Sequence, residues 1–141
     1  MRRSTFTWLF VCVLVAALCA GCDSEPAAAP TPEAPVEISE PLTGTLTING
    51  AVTHPFVVQR AGTVVAQIVT LAPDSTAVIS LSLGTWNGQV CQIILANDAA
   101  TSGALGVVTG TASTAGNFCV RVSDVGRLTA PTDYEIIVRH F

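Results

Sequence analysis

The stretch that decides the fold is Ala77–Leu83, which reads Ala-Val-Ile-Ser-Leu-Ser-Leu. Its apolar positions 79, 81 and 83 alternate with Ser80 and Ser82, and a period of two is typical of a β-strand with one buried and one solvated face. Trp86-Asn87-Gly88 follows, and an Asn-Gly pair between two strand-like runs is a strong hairpin signal. Val90–Leu95 supplies the return strand. We therefore predict an antiparallel hairpin with both serines on the solvated face.

Similar short runs, separated by turn residues, occupy the rest of the chain from Thr43 onward. None of them has the period of a helix sustained over several turns. The other predicted strands lie at 45–48, 56–59, 64–71, 105–109, 118–123 and 134–138. A polar loop is expected at Asn97–Gly103. About eight short strands in roughly a hundred residues favour an all-β, antiparallel β-sandwich, because each sheet then buries one face.

A second line of evidence is the order of five segments within residues 43–141. They are Phe56, Arg60-Ala61-Gly62, Ile79-Ser80-Leu81, the run Ala115-Gly116-Asn117-Phe118-Cys119-Val120-Arg121-Val122, and Tyr134-Glu135-Ile136. This order resembles the bacterial pre-peptidase C-terminal domain, which typically has Tyr in place of Cys119. The resemblance implies a jelly-roll-like sandwich and an accessory role beside exported proteins. Some collagenase-linked relatives bind collagen and calcium, but their acidic calcium ligands have no clear counterpart here, so neither activity is expected.

Residues 1–21 have the pattern of a secretory signal peptide. Met1-Arg2-Arg3 is positively charged, and residues 6–20 are apolar apart from Thr7. This apolar run is shorter than a typical transmembrane helix requires. Small residues then lead into Cys22, which resembles the lipobox of bacterial lipoproteins, with Cys19 where that motif usually has Leu. The resemblance implies cleavage before Cys22, acylation of this cysteine and a stable membrane anchor. An ordinary cleaved signal and an uncleaved membrane anchor are the alternatives.

Residues 22–42 are predicted to be the lipidated cysteine and a disordered acidic linker. The segment is rich in Pro, Ala and Glu, and it has too little apolar surface to offset the entropy of ordering. Its charged residues are all acidic: Asp23, Glu25, Glu33, Glu37 and Glu40. Polyproline II geometry, at about 3.1 Å per residue, would make it a spacer on the order of 50–60 Å long. A Pro-rich docking motif is the alternative.

The charge distribution excludes one class of partner. The chain has no Lys and a formal net charge of −4, but the excess acidity lies in the linker. From Thr43 onward, five acidic residues nearly balance four arginines. Because the predicted sandwich has no basic patch, we do not expect it to bind nucleic acid.

Two cysteines fall within the predicted sandwich. Cys91 and Cys119 each lie in a predicted strand, and export would place them in an oxidising compartment. We predict a disulfide between them, which contributes about 3–4 kcal/mol in the chain-entropy description. Two buried free thiols, or a metal site whose other ligands are not apparent, are the alternatives.

No residue pattern points to catalysis. His54 and His140 have no recognised metal-ligand spacing, and the chain has neither a Gly-x-Ser-x-Gly elbow nor a phosphate-binding glycine-rich loop. Asn97, Asp98 and Asp124 are interpreted as turn residues rather than calcium ligands. We expect no enzyme activity, no cofactor and no metal.

Trp86 is the candidate ligand-binding residue, because an aromatic ring at a hairpin tip can stack on a sugar or a peptide. Capping one end of the core is the alternative role for this side chain. The predicted function is a non-catalytic binding or interaction module, lipid-anchored in the bacterial cell envelope on the periplasmic face or the cell surface, with a protein or glycan ligand. The alternative is a structural spacer or accessory subunit of an envelope complex with no ligand of its own. A small hydrolase ranks third, because no nucleophile–base pair is visible.

Overall fold

The computed structural model describes residues 33–141. The predicted signal peptide at 1–21, the lipid-attachment residue Cys22 and the linker up to residue 32 lie outside the described residues. The strands are β1 Ile38–Leu46, β2 Ala51–Val58, β3 Gly62–Ala72, β4 Ile79–Trp86, β5 Cys91–Ala100, β6 Val107–Ala112, β7 Gly116–Ser123 and β8 Thr132–His140, and a 3-10 helix spans Gly103–Leu105. In this part of the chain, no helix is long and apolar enough to cross a membrane.

The eight strands form two antiparallel four-stranded sheets. One sheet has the order β1-β8-β3-β6, and the other has the order β2-β7-β4-β5. This arrangement of strands across two sheets is that of a jelly roll, which contains two Greek keys. The prediction of an all-β, antiparallel, jelly-roll-like sandwich of about eight strands is confirmed.

The hydrophobic core lies between the sheets and follows the alternation seen in the sequence. On β4, Ile79, Leu81 and Leu83 are buried, which is the face that the sequence predicts. The other strands contribute further buried residues in the same alternating way, including Leu46, Phe56, Val64, Ile68, Val120, Val122, Ile136 and Val138. Each sheet therefore presents one apolar face to the other, as a sandwich requires.

The predicted boundary between linker and sandwich is wrong, because β1 begins at Ile38 rather than at residue 43. Side chains along residues 38–42 alternate between partly buried and exposed, and Leu42 packs against the core. Pro41 is accommodated because β1 is an edge strand. Glu40 holds this end of the strand, since its Oε1 lies 3.1 Å from Nε2 of the fully buried His140. Acidic residues and proline are uncommon in β-strands, so the sequence does not indicate a strand here.

The predicted solvated face of β4 is also wrong. Ser80 and Ser82 are only 4% and 2% exposed. Ser80 Oγ donates to Oδ1 of Asp98 at 2.7 Å, and the two hydroxyls are 3.4 Å apart, so Ser80 keeps a strong polar partner after losing water. Asp98 lies on β5, which continues to Ala100 through the segment predicted to be a loop. A sequence period shows which residues share a face, but not what covers that face.

The two ends of the sandwich carry different parts of the chain. At one end, named here the entry end, Ile38 at the start of β1 pairs with His140 at the end of β8. The β4–β5 hairpin tip, residues 87–90, is at this end as well. The opposite end, named here the loop end, carries the connections 47–50, 73–78, 101–106 and 124–131.

Candidate binding surface

Cys91 and Cys119 form the predicted disulfide, with a Cα–Cα distance of 5.8 Å. The two cysteines belong to β5 and β7, which lie on either side of β4. Cys91 pairs in register with Trp86, and Cys119 pairs with Gly84. The disulfide therefore joins two strands that are not neighbours and crosses β4 to do so.

Gly84 makes this crossing possible. Strands on either side of a common neighbour are normally about 9.6 Å apart, so β5 has to bend over β4 to bring Cys91 to β7. A Cβ at Gly84 would overlap the carbonyl oxygen of Gln92 and would lie only 2.9 Å from Cα of Ile93. Only a residue without a side chain allows the two backbones to approach so closely.

An apolar surface is exposed on the edge strand β5 and on the residue that precedes it. Val90, Ile93, Ile94 and Leu95 are exposed by 58%, 44%, 66% and 39%. We name these four residues the β5 edge surface. The strand contains one charged residue, Asp98, and neither Lys nor Pro. The edge therefore lacks the lysine and proline side chains that commonly protect an exposed strand from pairing with another chain.

A β-bulge helps to explain why three consecutive apolar side chains of β5 are exposed. Leu83 pairs with Leu95 and the next residue, Gly84, pairs with Ile93, so Ile94 is an extra residue on β5. A bulge re-aims side chains and locally disrupts the ladder. Strict alternation would bury at least one of three consecutive residues, whereas all three are partly exposed around the bulge.

A small cavity opens beside the β5 edge surface. Its volume is about 40 Å³, and its lining is mostly apolar: Val64, Leu83, Ile94, Leu95, Gly110, Thr111 and Phe118. Gly110 keeps the cavity open, because a Cβ there would lie 3.0 Å from Cδ2 of Leu83 and 3.1 Å from Cδ1 of Leu95. A space of this size accepts roughly one methyl-sized group.

Trp86, the residue predicted to bind a ligand, is half-buried at the end of β4 and does not belong to the buried core. It lies at the entry end, beside a hairpin tip that is held by its own side chains. Oδ1 of Asn87 accepts the backbone N–H groups of Gln89 at 2.9 Å and Val90 at 2.8 Å. A ligand-binding role for Trp86 stays a prediction.

The two histidines bond to other side chains of the sandwich. Nε2 of His54 lies 2.7 Å from Oη of Tyr134. Burial lowers the pKa of His54 and raises the pKa of Tyr134. Nε2 of His140 faces Glu40, and its buried Nδ1 has no hydrogen-bond partner. Within residues 33–141, neither imidazole is hydrogen-bonded to a serine, threonine or cysteine side chain.

Asp124 organises the loop after β7, in keeping with its interpretation as a turn residue. Its Oδ1 accepts the backbone N–H groups of Gly126, Arg127 and Leu128 at 2.9–3.1 Å, and its Oδ2 accepts that of Asn49 at 2.8 Å. These bonds lower the pKa of Asp124, with the bond from Asn49 contributing most. Across the described range, 33–141, no group of three or more His, Cys, Asp or Glu residues is arranged to hold a metal ion.

No protein-family model matches the chain, and no curated protein matches it. Among solved structures, the chain is similar to the crystal structure of Aeromonas hydrophila PliG, a periplasmic lysozyme inhibitor of g-type lysozyme. The TM-score is 0.50 at 13% sequence identity, and the match covers 72% of this chain and 84% of that chain. At this identity, the similarity shows a shared fold alone.

Proposed function

We propose that this protein is a non-catalytic binding module of the bacterial cell envelope and that its ligand is another protein. The β5 edge surface carries the proposal. Soluble monomers rarely expose a cluster of large apolar side chains on an edge strand without lysine or proline, and such clusters mark interaction sites. In the proposed complex, a strand of the partner aligns with β5. A small apolar side chain of the partner enters the cavity beside Ile94 and Leu95.

The first partner class to test is an enzyme that cleaves the cell wall. PliG, which has a similar fold, is an inhibitor of g-type lysozyme. An inhibitor needs a rigid complementary surface rather than catalytic groups, and the Cys91–Cys119 disulfide braces the strand that carries the β5 edge surface. Fold similarity supports this choice of partner but does not carry the function by itself.

The proposed location is the periplasmic face or the cell surface, with the membrane contact made through lipidated Cys22. The lipobox-like sequence before Cys22 supports this anchor, and the acidic linker supports a module held away from the bilayer. The sandwich architecture is compatible with the proposed relation to pre-peptidase C-terminal domains. That relation fits an accessory binding role better than an enzymatic one.

Calorimetric titration of the purified protein against a g-type lysozyme tests the proposal, with lysis of a cell-wall suspension as a second readout. We expect binding that slows lysis. Ile94→Asp should weaken binding at least about tenfold, because it places a charge in the apolar centre of the interface. Val57→Asp is the matched control, because Val57 is 52% exposed on β2, the edge strand at the other side of the same sheet. Full binding by Ile94→Asp would contradict the assigned surface.

A negative result with lysozyme is informative if other envelope proteins are tested in the same way. Capture of a different protein that Ile94→Asp abolishes and Val57→Asp preserves would retain the docking surface and change the partner. If no envelope protein binds Val57→Asp and fails to bind Ile94→Asp, the proposal is refuted and the structural spacer is favoured.

A glycan ligand at Trp86 is the second candidate, favoured by the partly exposed indole beside a fixed turn. Stacking of a sugar on the ring would shift the tryptophan fluorescence of the mature protein. Unchanged emission with soluble cell-wall glycan fragments would remove this candidate.

A further inference from the structure

A second site lies at the loop end, away from the β5 edge surface. A groove of about 140 Å³ is formed there by the loop between β3 and β4 and the loop between β7 and β8. Leu128 and Thr132, which are both buried, contribute to its lining. Asp74 and Arg127 bring opposite charges to the same groove from the two loops.

Arg127 is fixed at its backbone and free at its side chain. Its N–H donates to Oδ1 of Asp124 at 2.9 Å, and the N–H groups on either side of it donate to the same oxygen. Within residues 33–141, the guanidinium makes no hydrogen bond and no ion pair. The loop therefore fixes the backbone from which the side chain extends, while the five N–H donors of the guanidinium remain available to a ligand.

Asp74 is arranged in a complementary way. Its Oδ1 accepts both the N–H and the hydroxyl of Thr76, at 2.8 and 2.7 Å, and these two bonds lower the pKa of the carboxyl group. Its Oδ2 makes no hydrogen bond within the described residues. Asp74 and Arg127 line one groove without forming an ion pair within 4.0 Å. The groove is thus lined by two residues of opposite charge that are not paired with each other.

From this geometry we infer that the loop-end groove binds a small zwitterion. The carboxylate of the ligand pairs with Arg127, and its ammonium group pairs with Asp74. A planar guanidinium matches a carboxylate through two parallel hydrogen bonds. A groove of about 140 Å³ has room for a molecule as small as a free amino acid. A short peptide carries the same two charged groups, farther apart, at its N-terminus and its C-terminus.

Titration of the isotopically labelled protein with L-alanine, followed by amide chemical shifts, tests this site. We expect saturable shifts confined to residues 73–77 and 127–132, with a Kd of roughly 1–10 mM because both charges are solvent-exposed. Alaninamide lacks the carboxylate and N-acetylalanine lacks the ammonium group, so each should bind at least about fivefold more weakly. Arg127→Gln should abolish saturation, whereas Arg60→Gln, at an exposed arginine of the β2–β3 turn, should bind like the wild type.

The sources of the ligand are separated by a second titration with the dipeptide Ala-Ala, which carries its two charges farther apart. Tighter binding of alanine than of the dipeptide assigns a free amino acid, and the reverse order assigns a short peptide. Equal shifts in wild-type protein and Arg127→Gln would overturn the inference, as would equal binding of alanine and alaninamide. Absence of saturable shifts with both alanine and the dipeptide would also overturn it.

Discussion

Reduction of the Cys91–Cys119 disulfide is expected to destabilise the sandwich strongly. The bond closes a loop across a sequence separation of 28, and this loop contains most of β5, all of β6 and the start of β7. The chain-entropy relation for a loop of that length gives about 12 cal/mol/K, or about 3.6 kcal/mol at 25 °C. A domain of about a hundred residues has an unfolding entropy near 0.2 kcal/mol/K, so the melting temperature should fall by about 15–20 °C.

Circular dichroism of the oxidised protein, the reduced protein and Cys91→Ala/Cys119→Ala measures this effect. The reduced protein and the double variant should melt within a few degrees of each other, because both lack the constraint on the unfolded chain. Added reductant should leave the double variant unchanged, which controls for any effect of the reductant itself. The double variant should also refold more slowly than the oxidised protein, since an open chain closes the β5–β7 contact at greater entropic cost. A reduced protein that melts within about 3 °C of the oxidised one would refute the loop-closure reasoning.

Three further predictions follow from single residues. Gly84→Ala should lower the free energy of unfolding by about 1–3 kcal/mol in chemical denaturation, because its Cβ overlaps the β5 backbone; Gly116→Ala, whose nearest neighbour is a ring carbon at 3.6 Å, should change it little. Hydrogen bonds lower the pKa of Asp124 below its ordinary 3.8 in the folded protein. The free energy of unfolding should therefore fall as the pH drops from about 4 through that lowered value. The slope of melting temperature against pH below 4 should be smaller in Asp124→Asn. His54 should titrate below its ordinary 6.5 in an NMR experiment, because burial lowers its pKa. Neutral His54 therefore stabilises the fold above pH 6.5, and this contribution is lost as the pH falls through the lowered pKa. The variant His54→Gln should show a smaller loss of stability between pH 7 and 5.

Alternation in the sequence predicts the sheets well, because each strand of a sandwich has one face in the core. The pattern at Ile79, Leu81 and Leu83 identifies both β4 and its inward face correctly. It fails for Ser80 and Ser82, since their burial depends on contacts with other parts of the fold, which a period does not show. The sequence does not distinguish a buried serine from a solvated one. They differ only in tertiary surroundings, here the side chain of Asp98 on a strand 18 positions away.

The disulfide was predictable because the predicted signal peptide and lipid-attachment site account for the other three cysteines and leave one pair, whereas its route across β4 was not. That route depends on the backbone approach at Gly84, which a sequence shows only as a glycine inside a strand. The β5 edge surface did leave a signal, because three consecutive apolar residues, Ile93, Ile94 and Leu95, break the alternation of a half-buried strand. The loop-end groove left none, since Asp74 and Arg127 are brought together only by the strand topology.

The pairing of β1 with β8 has a mechanical consequence. The described domain is joined to the preceding chain at Ile38, and β1 runs from there along β8 to the Leu46–Thr132 pair. Tension between the N-terminal segment and a ligand held at the loop end acts parallel to these two strands. Such a load is shared by the hydrogen bonds along the ladder instead of breaking them one after another. A jelly roll that is pulled at this point resists force in shear, so the domain would stay folded under a load that separates its N-terminal segment from a ligand at the loop end.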